Sequence, residues 1–422
     1  VLGVAVLCGG SETEQQPTML GLRGDRAAVP AITDVIPDVL TSAGVDVPYV
    51  TSSPSGGALP TDLATGVSHY FGVSGYRRPL SDVRSARVRF AAECLAFSIP
   101  PERGAVDRWF GSARVAGHHP AWKEGVPRDR LASWDFEDVR DHYVAEIFGV
   151  DPRAERWNDP ERYLDLGRAA VCIAMEEVFA EWRRPGSGCS GGLVWTMRDL
   201  RPGAGWGLMD YAGDPKAPWY VLKRALAPCS LLVRDDGLDG ISVAVINDGP
   251  LTLEADLEIT IWSEWGVPLE TGRQTVTVPT HSGIELRLDV VLGTFTDAGY
   301  VYRFGPRARD ALQLVLRAAD GTILAEKVAL LGNHLRPVRA DGMSAVVHRE
   351  AGVWAVDVSA HVVAQWVVVA CDGYRVSDSW FHLVPGMTRR IWLDPVCPNM
   401  DPPTVRVRAL NIMETTARRK EE

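Results

Sequence analysis

The two halves of the chain carry different hydrophobic rhythms. Up to about residue 228, short apolar runs end in glycine or proline and alternate with stretches of three-and-four spacing. Residues 2–8 are unbroken apolar and stop at Gly9–Gly10. Val88, Phe90, Ala91 and Ala92 lead in the same way to Glu93, before a turn at Pro100–Pro101. Such runs predict strands buried on both faces, the habit of parallel sheets. Residues 45–50, 67–73 and 191–199 predict further strands of this kind. Between them, EQQPTMLGL, TDVIPDVLTSAG and the segments 101–110, 135–148 and 161–183 read as helical, as does KAPWYVLKRALAP before residue 228. The helix over 161–183 is the clearest: Leu166, Ala170, Ile173, Ala174, Val178 and Trp182 fall on one face.

From residue 230 onward the rhythm changes to two. ISVAVIND, LEADLEITIWSEWG, RQTVTVP, GIELRLDV, YVYRFG and ALQLVLRA alternate between turn signals, and a second set follows from AVVHREAGVWAVDVSA to TVRVRALNI. Strands repeating at roughly 8–12 residues predict β-sandwiches. The expected domains are therefore 1–229, 230–334 and 335–422, with the last two as immunoglobulin-like sandwiches. The charged tail TTARRKEE is expected to fray.

Composition narrows the function. The net charge of −10 argues against general attraction to nucleic acid or an anionic membrane. No apolar run reaches membrane-spanning length. The seven cysteines are odd in number, scattered and without a CxxC pair, which predicts reduced thiols rather than a disulfide framework or a zinc site. A cytoplasmic setting is the corresponding expectation. The adjacent pair His118–His119 lacks a third ligand at helical spacing and predicts no metal site.

Candidate chemistry sits at strand ends. Glu12 follows the first apolar run and Glu93 closes a later one, and two carboxylates so placed are what glycoside hydrolysis requires. Taken singly, either glutamate is as well explained by a helix cap or a solvated loop charge. The loop TSSPSGG at 51–57 reads as a plain polar turn or as a sugar-facing rim. Trp122 and Trp134 could stack on sugar faces, or simply pack.

The motifs resemble one family. CGGSETE at 8–14 looks like the CGNNENE segment of β-mannosidases in glycoside hydrolase family 2. FAAECLAFSIPP at 90–101 is similar to their nucleophile strand, SHYFGV at 68–73 to their H-Y-W-G-V, and 191–228 to their last barrel strand and closing helix. The loop 51–57 and DSWFHLVPGMTRRIWL match further segments. The resemblance implies the later strands of a (β/α)8 barrel followed by two immunoglobulin-like sandwiches. It places residues 2–8 at the fourth barrel strand, so the expectation is a chain that begins part-way through the barrel and is unstable or inactive alone.

The resemblance also implies an activity: a retaining exo-β-glycosidase removing terminal β-D-mannose, with Glu12 as acid/base and Glu93 as nucleophile. Tyr70 would hydrogen-bond Glu93, and Ser11, His69, Trp195, Arg198 and Asp199 would line the sugar subsite. No cofactor and no metal are implied, and the partner is a β-linked oligosaccharide or glycoside. Ser11 stands where the family has asparagine, and Arg198 and Arg201 replace its more neutral run, which makes a uronic acid the second sugar to test. Other activities of the family (β-glucuronidase, β-galactosidase, exo-β-glucosaminidase) remain alternatives, as does a non-catalytic carbohydrate-binding relative. Oligomeric state is left open.

Overall fold

The computed structural model describes residues 3–398 and 400–420. The chain divides into two compact units: residues 1–96 with 181–197, and residues 97–180 with 198–422.

The first unit is built on parallel pairing. Ser68–Tyr70, Ala91–Cys94 and Gly192–Val194 form a three-stranded parallel sheet with Ala91–Cys94 in the middle. Leu7–Cys8 pairs in parallel with Tyr49–Val50. Parallel neighbours need crossover segments, and short helices supply some of them: Gln15–Met19, Ile36–Ser42 and Asp82–Ala86. In the central strand Ala91 and Cys94 are fully enclosed, as are Ser68 and Tyr70 of its neighbour. Its other neighbour needs Gly192, because a Cβ there would stand 2.7 Å from the Trp182 ring. Trp182 in turn packs edge-on against Tyr70, with ring centroids 5.6 Å apart.

The strands of this unit are shorter than the apolar runs that predict them. Leu2 lies outside the described residues. Of the rest of 2–8, only Leu7–Cys8 is strand, while Val4 and Val6 are 42% and 53% exposed. The expected two-sided burial is absent there, because pairing with Tyr49–Val50 begins only at Leu7.

The second unit joins helices to antiparallel sheets. The helix Phe136–Phe148 opens with a capping box, in which Asp135 accepts from the backbone N–H of Glu137 and Asp138, and Asp138 accepts from that of Asp135. Pro160–Arg183 is a 24-residue helix with Leu164, Ala170, Val171, Ala174 and Val178 buried. A three-stranded sheet (Ser282–Arg287, Ile241–Asn247, Cys229–Asp235) and a four-stranded one (Ile323–Leu330, Ala311–Arg317, Leu253–Trp262, Pro268–Val278) share one apolar core that includes Val243, Leu257, Ile259 and Leu314. Within Leu253–Trp262, buried and half-buried residues alternate from Ala255 onward, as the sequence predicts. A five-stranded and a four-stranded sheet, spanning Met343–Glu350 to Arg418–Arg419, enclose a second core around Val356, Val367 and Val407.

Several boundaries differ from expectation. Residues 300–305 form no strand, because Tyr300 and Arg303 adopt positive φ, which breaks an extended run. The strand read through 283–290 stops at Arg287, where the helix Leu288–Leu292 begins. The tail is anchored as far as it is described: Arg418–Arg419 pairs with Val346–Val347, and Lys420 N–H donates to the Val347 carbonyl at 2.9 Å.

Residues 97–180 are grouped with the β-rich part through buried ion pairs. Asp165 accepts from Arg408 (2.6 and 3.0 Å), Arg168 (2.6 Å) and Arg103 (2.5 Å). Burial works against the Asp165 carboxylate, yet these guanidiniums outweigh it and hold its pKa below the usual range. Trp380 Nε1–H donates to Glu102 at 2.8 Å. All seven cysteines are free thiols, and among the described residues no helix is long and apolar enough to cross a membrane.

Candidate active site

The site lies in the first unit, where three strand ends meet. Gly9 and Gly10 carry the chain out of the first strand. The Gly9 N–H donates to Val50 at 3.0 Å, and a Cβ at Gly9 would stand 2.6 Å from the Thr51 carbonyl oxygen, so only glycine fits this approach. Glu12 follows with φ +58°, an unusual backbone for a residue with a Cβ. Its N–H donates to the Ser53 carbonyl at 2.6 Å, and the Gln16 side chain donates to its Oε2 at 3.3 Å. Leu95, two residues past Glu93, also has positive φ, so the chain turns sharply just beyond the central strand.

Glu12 and Glu93 come together with His69. An oxygen of each carboxylate and a ring nitrogen of the histidine all lie within 4.8 Å of one another. His69 Nδ1 is 3.3 Å from Glu12 Oε1 and 3.5 Å from Glu93 Oε2. Ser11 Oγ donates a long 3.5 Å bond to Glu93 Oε1. Glu93 is the more enclosed carboxylate, its side chain 19% exposed against 38% for Glu12. Burial pushes the Glu93 carboxyl above the usual carboxylate range; His69 opposes this, the Glu12 charge adds to it, and the Ser11 hydroxyl opposes it again.

The remaining expected residues fall as follows. Trp195 is half-buried, and its N–H donates to the Cys94 carbonyl at 2.9 Å, which sets it beside the end of the Glu93 strand. The Tyr70 hydroxyl donates to Asp82 Oδ2 at 2.9 Å, and His69 of the same strand contacts Glu93.

Arg198 and Asp199 lie in the second unit. Arg198 donates to the Tyr211 carbonyl at 2.6 Å. Asp199 is buried and pairs with Lys216 Nζ at 2.6 Å, while Gly207 N–H donates to it at 2.7 Å. Lys216 also donates to the carbonyls of Ile99 and Gly205. Burial raises the Asp199 pKa and lowers that of Lys216, and the mutual attraction opposes both shifts.

Trp122 is fully buried with its indole N–H on Glu137 at 3.0 Å, and Trp134 packs edge-on against Phe136. His119 caps a helix by accepting from Ala121 N–H.

Sequence reasoning did not single out Ser53. Its Oγ is 2.8 Å from His69 Nε2 and its backbone holds both Gly10 and Glu12. The signal available was the hydroxyl-rich loop 51–57, without a means of telling which hydroxyl turns inward. Among the described residues, Glu12, His69 and Glu93 form the one cluster compact enough for a cation. We assign no metal to it, because a carboxylate pair that donates a proton and attacks carbon needs those same oxygens.

By sequence and by fold, the chain is similar to β-mannosidases. In particular, it is 28% identical to β-mannosidase B of Thermothelomyces thermophilus over 394 residues, which are 84% of this chain and 43% of that protein. It is 31% identical to β-mannosidase B of Emericella nidulans over 84 residues, 19% of this chain and 10% of that one. Its fold is similar to the crystal structure of β-D-mannosidase from Dictyoglomus thermophilum, with a TM-score of 0.76 at 17% identity over 97% of this chain and 48% of that one. It is similar also to the exo-chitosanase of Amycolatopsis orientalis, with a TM-score of 0.67 at 15% identity over 98% and 51%. At these identities the structural likeness speaks for the fold alone. No family model matches the chain. The chain spans less than half the length of the curated relatives it matches.

Proposed function

We propose that this chain carries the catalytic centre of a retaining exo-β-glycosidase that removes terminal β-D-mannose. The observation that carries the reading is the approach of Glu12 and Glu93 to within 4.8 Å. Retaining enzymes hold their two carboxyl groups about 5–5.5 Å apart, whereas inverting ones leave about 6.5–9.5 Å for a water. Glu93, on the rigid central strand, attacks the anomeric carbon. Glu12, on the more exposed turn, protonates the leaving oxygen and then takes a proton from the water that releases the sugar.

We further propose that the parallel strands of the first unit are strands of a (β/α)8 barrel, with catalytic groups at their C-terminal ends. The two-sheet bodies within 230–334 and 335–422 then correspond to immunoglobulin-like sandwiches. The β-mannosidase names of the relatives support mannose as the first sugar. The exo-chitosanase name of a neighbour with a similar fold makes a glucosaminide the second sugar to test. A uronide is less favoured, because Arg198 is bound to a backbone carbonyl.

The test is hydrolysis of aryl β-glycosides by the intact protein: mannoside, glucosaminide, glucuronide and galactoside. Cleavage of the mannoside is the expected result. Cleavage of another sugar alone moves the substrate and keeps the mechanism. No cleavage of any by folded protein overturns the reading.

A further inference from the structure

His69 is in contact with both carboxylates, and it is nearly enclosed, its side chain 5% exposed. Both contacts use the same nitrogen, Nδ1. The other nitrogen, Nε2, is 2.8 Å from Ser53 Oγ, and the Phe71 ring stands edge-on to the imidazole at 6.4 Å. The groups facing His69 are therefore two acids from two different strand ends, one hydroxyl from the 51–57 loop and one apolar ring. We assign a proton to Nδ1, the nitrogen that faces both carboxylates, because it can then donate to whichever of them is anionic. Ser53 accommodates that: its hydroxyl donates to Nε2 when the ring is neutral and accepts from Nε2–H when the ring is charged. Ser53 is itself fixed, since its N–H donates to Gly10 at 2.9 Å and its carbonyl accepts from Glu12 at 2.6 Å.

We infer that Ser53 and His69 form a positioning pair whose Nδ1–H follows the negative charge as it passes between Glu93 and Glu12. The inference rests on the two-glutamate reading. The two-glutamate reading requires that substrate meet an ionised Glu93 and a Glu12 that carries the proton, and in that state Nδ1–H points to Glu93. In the first half-reaction a Glu93 oxygen bonds the anomeric carbon, the glycosidic C–O bond breaks, and the leaving oxygen takes the Glu12 proton. The charge now sits on Glu12, 3.3 Å from the same Nδ1. In the second half-reaction Glu12 takes a proton from water, the water oxygen bonds the anomeric carbon, the ester bond breaks, and the charge returns to Glu93. His69 gains and loses no proton over the cycle. It supplies a charged-acceptor hydrogen bond to whichever carboxylate is anionic, with no reorganisation beyond a small ring shift.

The experiment is kcat/KM against pH in the intact protein for His69→Ala, His69→Asn and Ser53→Ala, with an aryl β-mannoside as substrate. Loss of a hydrogen bond to a charged group predicts a roughly ten- to hundred-fold fall for His69→Ala. Its acid limb moves to higher pH, because His69 opposes the raised Glu93 pKa. His69→Asn keeps an N–H near the Nδ1 position and restores most of both effects. Ser53→Ala moves rate and limb in the same direction by less, and carries the test alone if His69→Ala does not fold. A rate loss with an unmoved limb and no rescue by asparagine overturns the inference, as do unchanged kinetics. Full activity in Glu93→Ala would instead overturn the two-glutamate reading, so the two failures are distinct.

Discussion

Glu12 and Glu93 sit on different strand ends of one unit, and their carboxylate oxygens approach within 4.8 Å. In the proposed mechanism so short an approach favours direct attack by Glu93 over attack by a water held between the carboxylates. It predicts retention: the first product seen by proton NMR is the β-anomer, which then mutarotates. An α-anomer as first product would require an inverting geometry that this site lacks.

The acid limb of the pH profile follows from Glu93. In the proposed mechanism Glu93 must be ionised to attack, and burial raises its pKa above the usual carboxylate range. Activity is therefore predicted to fall on acidification at a pH above that of an ordinary glutamate. Ser11→Ala removes a hydroxyl that opposes the shift and moves this limb further up. A limb in the ordinary glutamate range, unchanged by Ser11→Ala, would contradict the assignment.

Asp165 predicts a stability effect remote from the chemistry. Its carboxylate is buried among Arg408, Arg168 and Arg103. Asp165→Asn leaves buried cations uncompensated and is expected to cost about 3–5 kcal/mol in denaturant unfolding. Because the folded pKa is lowered, the wild-type contribution is present above the unfolded aspartate value. It disappears as pH falls through the folded one. The difference between wild type and variant should therefore shrink on acidification.

Asp199 separates a structural role from a sugar-binding one. The buried Lys216–Asp199 pair predicts that Asp199→Ala lowers stability by about 3–5 kcal/mol, since Lys216 would be left unpaired. A variant of unchanged stability with a raised KM would point to direct substrate contact instead.

The sequence made the two glutamates legible because each closes an apolar run, and it made His69 legible through a motif shared with the β-mannosidases. The long helix Pro160–Arg183 and strands such as Leu253–Trp262 were legible because one face is apolar and the spacing is regular. What stayed hidden depends on long-range partners. Lys216 lies beside Asp199 only in the fold, and nothing in the spacing of the two residues announces a buried pair. Ser53 is one of three hydroxyl residues in succession, and only the return of its backbone to Gly10 and Glu12 turns it toward His69. Val4 and Val6 have strand chemistry without a strand partner, and Arg418–Arg419 has the composition of a frayed end but finds a ladder beside Val346–Val347.

Covalent trapping tests the central claim most directly. The intact protein would be incubated with a 2-deoxy-2-fluoro-β-mannosyl fluoride, digested, and its peptides weighed by mass spectrometry. The account predicts one fluoro-sugar on the peptide containing Glu93, and none in Glu93→Gln. A label on Glu12, or no label in protein that hydrolyses mannosides, would contradict it.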